Sequence, residues 1–250
     1  MNRPSFISKL DWELLCKKYK SDRSLSKVVK KIEDDYPVQY AIGDVEFLNN
    51  KILVNKNVLI PRFETELLVD KLIKYIDANN LEKTNMLDLC TGSGCIAISL
   101  ASKIKGANCF AVDRSFKALR LANKNARINR VKVKFLRKNI LKDNKYPLKY
   151  GVIVSNPPYV TLNEKVSPNT KFEPHIALYP GEDDILFYKK IIDDSLKMTY
   201  PKNIIAFEIG SKQAERICKY ASDKFPKAKI VVEKDYNGYD RFVFIFNNCE

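Results

Sequence analysis

Two periodicities of apolar residues alternate along the chain from residue 85 onward. Short continuous apolar runs predict buried strands, and segments with apolar residues at helical spacing predict helices between them. The predicted strands span residues 85–89, 107–112, 131–136, 151–155, 202–208, 229–233 and 241–246, and the predicted helices span 94–104, 115–129, 183–198 and 211–224. Strands separated by helices indicate a parallel sheet covered on both faces. Only a turn with Asn237-Gly238 separates the last two runs, so the final strand is predicted to be antiparallel.

The first 84 residues follow a different pattern. Apolar residues at helical spacing predict two short amphipathic helices before Pro37, at Leu10, Leu14, Leu15, Leu25, Val28, Val29 and Ile32. Asn-rich turns between short apolar runs predict a β-hairpin within residues 45–60, and a helix is predicted from about Glu64 to Tyr75. The chain is therefore divided into a helical N-terminal region (1–36), a hairpin linker (37–60) and a main domain (61–250).

The predicted strands of the main domain indicate its fold class. Seven strands with a reversed last strand are the α/β architecture of the class I methyltransferases.

Composition adds one unusual feature, the charge. Hydrophobic residues make up 45% of the 250 residues, which is enough for a large core, whereas the formal net charge is +14. Residues 103–149 carry fifteen basic and only two acidic side chains, so nearly all of the excess lies in one block. Within it Lys117, Arg120, Lys124 and Arg127 form a stripe at helical spacing. Such a stripe fits either an acidic partner, protein or RNA, or a solvated face.

The cysteines and the single histidine limit the kinds of metal site that the sequence can form. The six cysteines form no Cys-x-x-Cys pair and His175 is the only histidine, so no zinc site of ordinary spacing is predicted. The polar N-terminus shows no signal-peptide pattern and no run of 18 apolar residues occurs. A cytoplasmic protein with reduced thiols, no metal and no membrane contact is expected.

The loop after the first strand of the main domain is rich in small residues. Cys90, Thr91, Gly92, Ser93 and Gly94 follow Leu87-Asp88-Leu89 and open a helix. Glycines allow close approach of a ligand, and the helix N-terminus offers free N–H groups. Asp113, at the end of the second strand, is placed to accept hydrogen bonds from ribose hydroxyls. An adenosine-type cofactor is predicted, either NAD or S-adenosylmethionine.

The loop after the fourth strand is Asn156-Pro157-Pro158-Tyr159, which faces the same crevice of an open parallel sheet. The Asn156 side-chain oxygen and the Pro157 carbonyl are two acceptors that match the two hydrogens of a planar –NH₂ group, and Tyr159 adds a flat face. Holding both hydrogens aims the nitrogen lone pair at an electrophile. A sulfonium methyl group is such an electrophile, which favours methyl transfer over hydride transfer and requires no catalytic histidine.

These motifs resemble, in shared order, the HemK/PrmC family of protein-(glutamine-N5) methyltransferases, which methylate the Gln of the Gly-Gly-Gln loop of peptide chain release factors. The resemblance runs from Pro37 to about Phe246. It rests on residues 37–43, 59–69, 87–96, 112–113, 154–159, 173–178, 208–213 and 234–241.

The resemblance implies roles for particular residues. Cys90 to Gly94, Asp113, Asn139, Ile140 and Asn156 would bind S-adenosyl-L-methionine, and Asn156, Pro157, Pro158 and Tyr159 would hold the target glutamine amide, with Asn156, Pro157 and Tyr159 as the catalytic group. Arg62 to Glu66 would form a lid over the cofactor. Cys90 stands where the family usually has glycine.

Alternative acceptors remain open at this level. A glutamine of a ribosomal protein is one, and the amino group of a nucleic-acid base, adenine N6 or cytosine N4, is another, because the same loop suits a flipped-out base stacked on Tyr159. A non-catalytic RNA-binding protein with the same fold is disfavoured by the intact Asn156 to Tyr159 loop. The release factor is the expected partner, with the basic stripe as an auxiliary contact.

Overall fold

A mixed β-sheet flanked by helices dominates the computed structural model, which describes residues 2–143, 145–146, 148–161, 164 and 166–249. The strands are β1 Asp44–Phe47, β2 Asn50–Leu53, β3 Asn85–Leu89, β4 Asn108–Asp113, β5 Val133–Arg137, β6 Tyr150–Ser155, β7 Thr199–Glu208, β8 Lys229–Lys234 and β9 Asp240–Asn247. The helices are α1 Lys9–Lys18, α2 Asp22–Glu33, α3 Val38–Ile42, α4 Phe63–Ala78, α5 Cys95–Lys103, α6 Phe116–Ile128, α7 His175–Leu178, α8 Leu186–Met198 and α9 Ala214–Lys224, with a short 3-10 helix at Pro168–Phe172.

The seven-stranded sheet has the order β5-β4-β3-β6-β7-β9-β8. Strands β3 to β7 pair in parallel, whereas β9 is antiparallel to both of its neighbours. The predicted parallel sheet and reversed last strand are confirmed. Because the strand order reverses direction beside β3, the carboxyl ends of β3, β4 and β6 border one crevice, the usual ligand position in such sheets.

Some predicted boundaries were wrong by two or three residues, because local hydrogen bonds override periodicity there. The amide N–H of Val131 donates to Ala126 O and closes the end of α6, so β5 begins only at Val133. Helix α8 begins at Leu186 because the Asp183 side chain accepts from Ile185 N. Helix α9 begins at Ala214 because the Gln213 side chain accepts from Gly210 N in a turn.

The sheet is buried on both faces, which explains its continuous apolar runs. All six residues of β6 are buried. One face packs against α4, α5 and α6 through a core that includes Leu68, Leu72 and Ile96. The other packs against α8 and α9 through residues such as Ile192 and Ile217. The described residues contain no helix long and apolar enough to cross a bilayer.

The N-terminal helices form a separate small core with α3. Leu15, Leu25 and Val28 are buried there, as predicted, but Leu10 and Leu14 are exposed by 67% and 39%. The predicted packing face of α1 was therefore wrong in these two positions. Helix α3 was not predicted, and Lys18 and Tyr19 hold it by donating to its last carbonyls.

The predicted hairpin is β1 and β2, joined by a two-residue turn. Asn125 on α6 accepts from Leu53 N (2.9 Å), and Asn129, which follows the last residue of α6, accepts from Lys51 N (3.0 Å), so both fasten β2 to the main domain. The Asn125 side chain also donates to Ser93 O at 2.9 Å. One buried side chain thus joins the hairpin to the glycine loop and directs residues 54–62 across the crevice.

Candidate active site

The crevice at the carboxyl ends of β3, β4 and β6 is an open cleft of about 900 Å³. Most of the residues that the sequence assigned to cofactor binding line it, namely Cys90, Thr91, Gly92, Ser93, Asp113, Asn139, Ile140 and Asn156. Gly94 lies beneath the loop at the start of α5. Leu59, Pro61 and Thr65, from the segment predicted to form a lid, complete one wall. The structure therefore brings together residues from five separate segments.

The glycine loop has a left-handed backbone at three positions. Gly92 and Gly94 have φ values of 55° and 85°, and Cys90 has φ 62°. A β-carbon in this region costs about 1–2 kcal/mol, which explains why glycine suits the position that Cys90 occupies. A β-carbon on Gly94 would also lie 3.0 Å from the β-carbon of Ala122. Gly94 therefore lets α5 and the loop pack closely on α6.

Asp113 holds the loop as well as facing the cleft. Its carboxylate accepts from Gly92 N at 2.9 Å and from Ser115 N at 2.8 Å. The N-terminus of α6 is capped by Ser115, whose hydroxyl accepts from Ala118 N. Burial raises the pKa of Asp113, and the backbone hydrogen bonds act in the opposite direction. A carboxylate has about four lone-pair sites, so the three backbone N–H groups of Gly92, Arg114 and Ser115 leave room for a hydroxyl donor in the cleft.

Asp88 is a buried carboxylate under the glycine loop, to which sequence reasoning assigned no role. Its Oδ2 accepts from the Thr91 hydroxyl and from Ala97 N, whereas its Oδ1 is buried and has no partner among the described residues. Burial raises its pKa to about 7. An unpartnered buried carboxylate oxygen is costly, and a bound cation offsets that cost. The signal in the sequence was an acid within the apolar run Leu87-Asp88-Leu89.

The Asn156 to Tyr159 loop separates two clefts. Asn156 lines both this first cleft and a second one of about 1030 Å³, and Tyr159 lines the second together with Arg62, Asn169, Thr170 and Arg241. Pro157 and Pro158 are buried. Gln213 donates to the Tyr159 carbonyl at 3.1 Å and so fixes the end of the loop. Asn156 therefore stands in the wall between two spaces, each open to a ligand.

A hydrogen-bond network behind this loop centres on Glu208, at the end of β7. Glu208 is 1% exposed and accepts from the Thr65 hydroxyl at 2.6 Å and the Tyr159 hydroxyl at 3.1 Å. The Asn156 amide nitrogen donates to Thr65 Oγ1 at 3.1 Å. Burial raises the pKa of Glu208, whereas the two hydroxyl donors and Arg241 act to lower it. The resemblance placed Thr65 in the lid segment without a role of its own and gave Glu208 no role.

A second buried carboxylate holds the segment predicted to form a lid. Glu173 accepts from Ile60 N at 3.0 Å and forms an ion pair with Arg62. Its side chain is fully buried, whereas that of Arg62 is one-third exposed. This pair closes residues 60–62 over the junction of the two clefts.

The single histidine lies at the rim. His175 is exposed at the start of α7 and stacks on Tyr179 with ring centroids 4.4 Å apart. Among the residues that the structure describes, no group of three or more His, Cys, Asp or Glu side chains could hold a metal ion. All six cysteines are free thiols.

Comparison with known proteins gives the same fold and a closer relationship. Residues 63–171 match the methyltransferase small domain family. The 16S rRNA N2 G1207 methyltransferase of Thermus thermophilus, solved with AdoMet and guanosine, superposes with a TM-score of 0.59 at 15% identity, over 82% of this chain and 50% of that one. A Pyrococcus furiosus methyltransferase superposes with a TM-score of 0.56 at 15% identity, over 79% and 88% of the two chains.

Curated relatives are more similar in sequence. The release factor glutamine methyltransferase of Flavobacterium psychrophilum is 38% identical over 221 residues, 86% of this chain and 77% of that protein. The Lactococcus lactis protein of the same name is 34% identical over 245 residues, 96% of this chain and 89% of that protein.

The sheet order, the glycine loop and the asparagine-proline loop on one cleft define a class I, S-adenosylmethionine-dependent methyltransferase. The relatives allow a narrower statement. The chain belongs to the release factor glutamine methyltransferase family, which confirms the resemblance found in the sequence.

Proposed function

We propose that the protein transfers a methyl group from S-adenosylmethionine to the side-chain amide nitrogen of the glutamine in the Gly-Gly-Gln loop of a peptide chain release factor. The position of Asn156 between the two clefts carries this proposal. The first cleft, which the glycine loop lines, would hold the cofactor, and the second would receive the glutamine side chain. Family membership supports the choice of substrate.

The residues of the first cleft fit such a cofactor. A β-carbon on Gly92 would meet no atom within 4 Å, so the loop leaves open space at the cleft wall. Asp113 would accept from the ribose hydroxyls, and Asn139 and Ile140 would border the adenine. Asp88 lies under the glycine loop and not in the cleft wall, and its carboxylate, when ionised, would add negative potential beneath the cationic cofactor. When bound, the cofactor supplies an electrophilic sulfonium methyl group.

The Asn156 to Tyr159 loop would orient the acceptor amide. Hydrogen bonds between described residues leave the Asn156 Oδ1 and the Pro157 carbonyl without a donor. Both atoms can therefore accept from the two hydrogens of a glutamine amide, which directs its nitrogen lone pair toward the methyl group. Orientation of this kind contributes up to about 7–11 kcal/mol to a barrier. The nitrogen loses a proton readily once it is methylated, so no strong base is required.

A labelled-methyl transfer assay tests the substrate. The wild-type protein is incubated with labelled S-adenosylmethionine and release factor, with release factor carrying Gln→Asn in its Gly-Gly-Gln loop as the matched control. Label in the first protein but not the second is expected. Label that enters only a ribosomal protein, RNA or DNA would contradict the proposal and identify one of the alternative acceptors.

Cofactor affinity is predicted to depend on pH through Asp88. Because burial raises its pKa to about 7, the carboxyl is neutral below that pH and carries the negative charge that attracts a cation in the cleft only above it. The affinity for S-adenosylmethionine should therefore fall by up to about tenfold per pH unit below pH 7. Calorimetry between about pH 6 and 8 measures this. The variant Asp88→Asn should bind weakly with a flat profile; a slope that persists would assign the titration to another group, such as Asp113.

The basic stripe is proposed as an auxiliary docking surface. Lys117, Arg120, Lys124 and Arg127 are all exposed on α6, while Leu119, Ala122 and Ala126 on the opposite face are buried. Charge reversal of the four basic residues should raise the KM for the release factor about tenfold at low salt, with less effect at high salt. Charge reversal of four exposed lysines elsewhere is the control, at Lys212, Lys219, Lys227 and Lys229. Equal KM values for the two variants would favour a merely solvated face.

A further inference from the structure

The hydrogen-bond donors around Thr65 are limited in number. A threonine hydroxyl has one proton to donate, and an ionised carboxylate only accepts. The Thr65 hydroxyl lies 2.6 Å from Glu208 Oε2 and therefore donates its single proton to that oxygen. Its oxygen can then only accept from the Asn156 amide, 3.1 Å away. The direction of both hydrogen bonds follows from the charge of Glu208.

This direction determines which end of the Asn156 amide faces Thr65. With the nitrogen toward Thr65, the carboxamide oxygen is left for a ligand. In the flipped orientation the Asn156 oxygen would face the lone pairs of Thr65 Oγ1, and the buried hydroxyl oxygen would have no donor, which is unfavourable. Thr65 is only 3% exposed at the wall of the cleft, so little room is left for water to replace that donor.

Glu208 is surrounded by groups that favour its role as an acceptor. The Tyr159 hydroxyl donates to its other oxygen at 3.1 Å, so neither oxygen is left unpaired. The positive charge of Arg241, which is held by Asp235 and by Ile209 O, acts on the same carboxylate. The Tyr188 hydroxyl donates to the backbone carbonyl of Glu208 at 2.9 Å and fixes the end of β7.

We propose that Thr65 and Glu208 are positioning residues that orient the Asn156 amide with its oxygen toward the acceptor –NH₂ group. Neither residue needs to touch the acceptor. The network joins α4, β7 and the Asn156 to Tyr159 loop, so it sets the same orientation before any ligand enters. This inference rests on the proposed function for its kinetic consequence, but the amide orientation itself does not.

The first test uses an isosteric pair of variants. Thr65→Val removes the hydroxyl while keeping the shape, and Thr65→Ser keeps the hydroxyl. Thr65→Val should lower kcat about 10- to 100-fold with little change in KM for the acceptor, because an oriented group is lost in the transition state. Thr65→Ser should restore most of the rate. Thr199→Val, which removes a hydroxyl bonded to Ser195 O at the far end of β7, is the matched control.

A double-mutant cycle separates orientation from a general structural effect. If Thr65 acts through Asn156, then Thr65→Val should have almost no further effect in an Asn156→Ala background. Unfolding temperature and affinity for S-adenosylhomocysteine are measured on every variant. Additive losses of rate, or failure of Thr65→Ser to restore activity, would overturn the proposal.

A spectroscopic test does not depend on the acceptor. The side-chain ¹⁵N–¹H signals of Asn156 are identified by their loss in Asn156→Ala. They should shift and lose protection from solvent exchange in Thr65→Val and stay near their wild-type values in Thr65→Ser. Identical signals in wild type and Thr65→Val would overturn the amide orientation. The signals could respond as expected while the wild-type protein leaves the release factor unlabelled. That result would contradict only the proposed substrate.

Discussion

Replacement of Asn156 by alanine is expected to reduce kcat for methyl transfer about 100- to 1,000-fold, the loss seen when one preorganised hydrogen-bonding group is removed from a reaction site. The variant removes one of the two hydrogen-bond acceptors that would hold the –NH₂ group of the glutamine. The other, the Pro157 carbonyl, remains. A glutamine amide held by one hydrogen bond can rotate, so its lone pair is seldom aimed at the methyl group. Single-turnover transfer of labelled methyl to the release factor measures the effect.

A control variant that loses an asparagine far from the cleft is measured in the same experiment. Asn108, at the start of β4, lies at the opposite edge of the sheet and donates to Asn85 Oδ1 at 2.7 Å. Asn108→Ala should transfer methyl at the wild-type rate. Calorimetry with S-adenosylhomocysteine then shows whether Asn156→Ala still binds the cofactor. If Asn156→Ala retains more than about a tenth of the wild-type kcat, the orientation mechanism is wrong.

Gly94→Ala is expected to lower the free energy of unfolding by about 2–4 kcal/mol, the largest stability effect predicted here. Two costs combine. The backbone at Gly94 has φ 85°, which disfavours any β-carbon, and the new methyl group would lie 3.0 Å from the Ala122 β-carbon and 3.2 Å from Ile98 Cδ1. Helices α5 and α6 must separate to accommodate it. Equilibrium unfolding in urea measures the change.

Alanine variants of two other glycines separate the cost of the backbone conformation from the cost of the close contact. Gly106 also has a left-handed backbone, with φ 87°, but open space around its β-carbon position, so Gly106→Ala should cost only about 1 kcal/mol. Gly92→Ala should cost a similar amount and, because its β-carbon would enter the first cleft, should also weaken cofactor binding. A Gly94→Ala protein as stable as Gly106→Ala would show that the contact with Ala122 relaxes without cost.

Much of the fold was predictable because its determinants are local. Continuous apolar runs identified all seven strands of the sheet, and the short link at Asn237-Gly238 identified the reversed strand. The errors occurred where a specific hydrogen bond outweighs periodicity, as at Val131 and Gln213. The exposure of Leu10 was not predictable, since three leucines cannot all face one small core.

The candidate site was predictable in its loops but not in its supports. Cys90 to Gly94 and Asn156 to Tyr159 are continuous segments whose chemistry can be read directly, and parallel strands place their ends together. Asp88 and Glu208 were harder to assign, because an acidic residue in an apolar run shows that a partner is needed but not which one, and Glu173 lies outside any such run.

The sequence by itself determined the class of fold, the family and the two loops that meet at the cleft, since periodicity, turn residues and contiguous motifs depend on neighbours along the chain. Only the tertiary structure decided what holds those loops in place. Thr65 meets Asn156 across 91 residues and Glu208 across 143. Such contacts depend on how α4 packs over the ends of the strands. The direction of their hydrogen bonds depends on a carboxylate that becomes buried only when the sheet is complete.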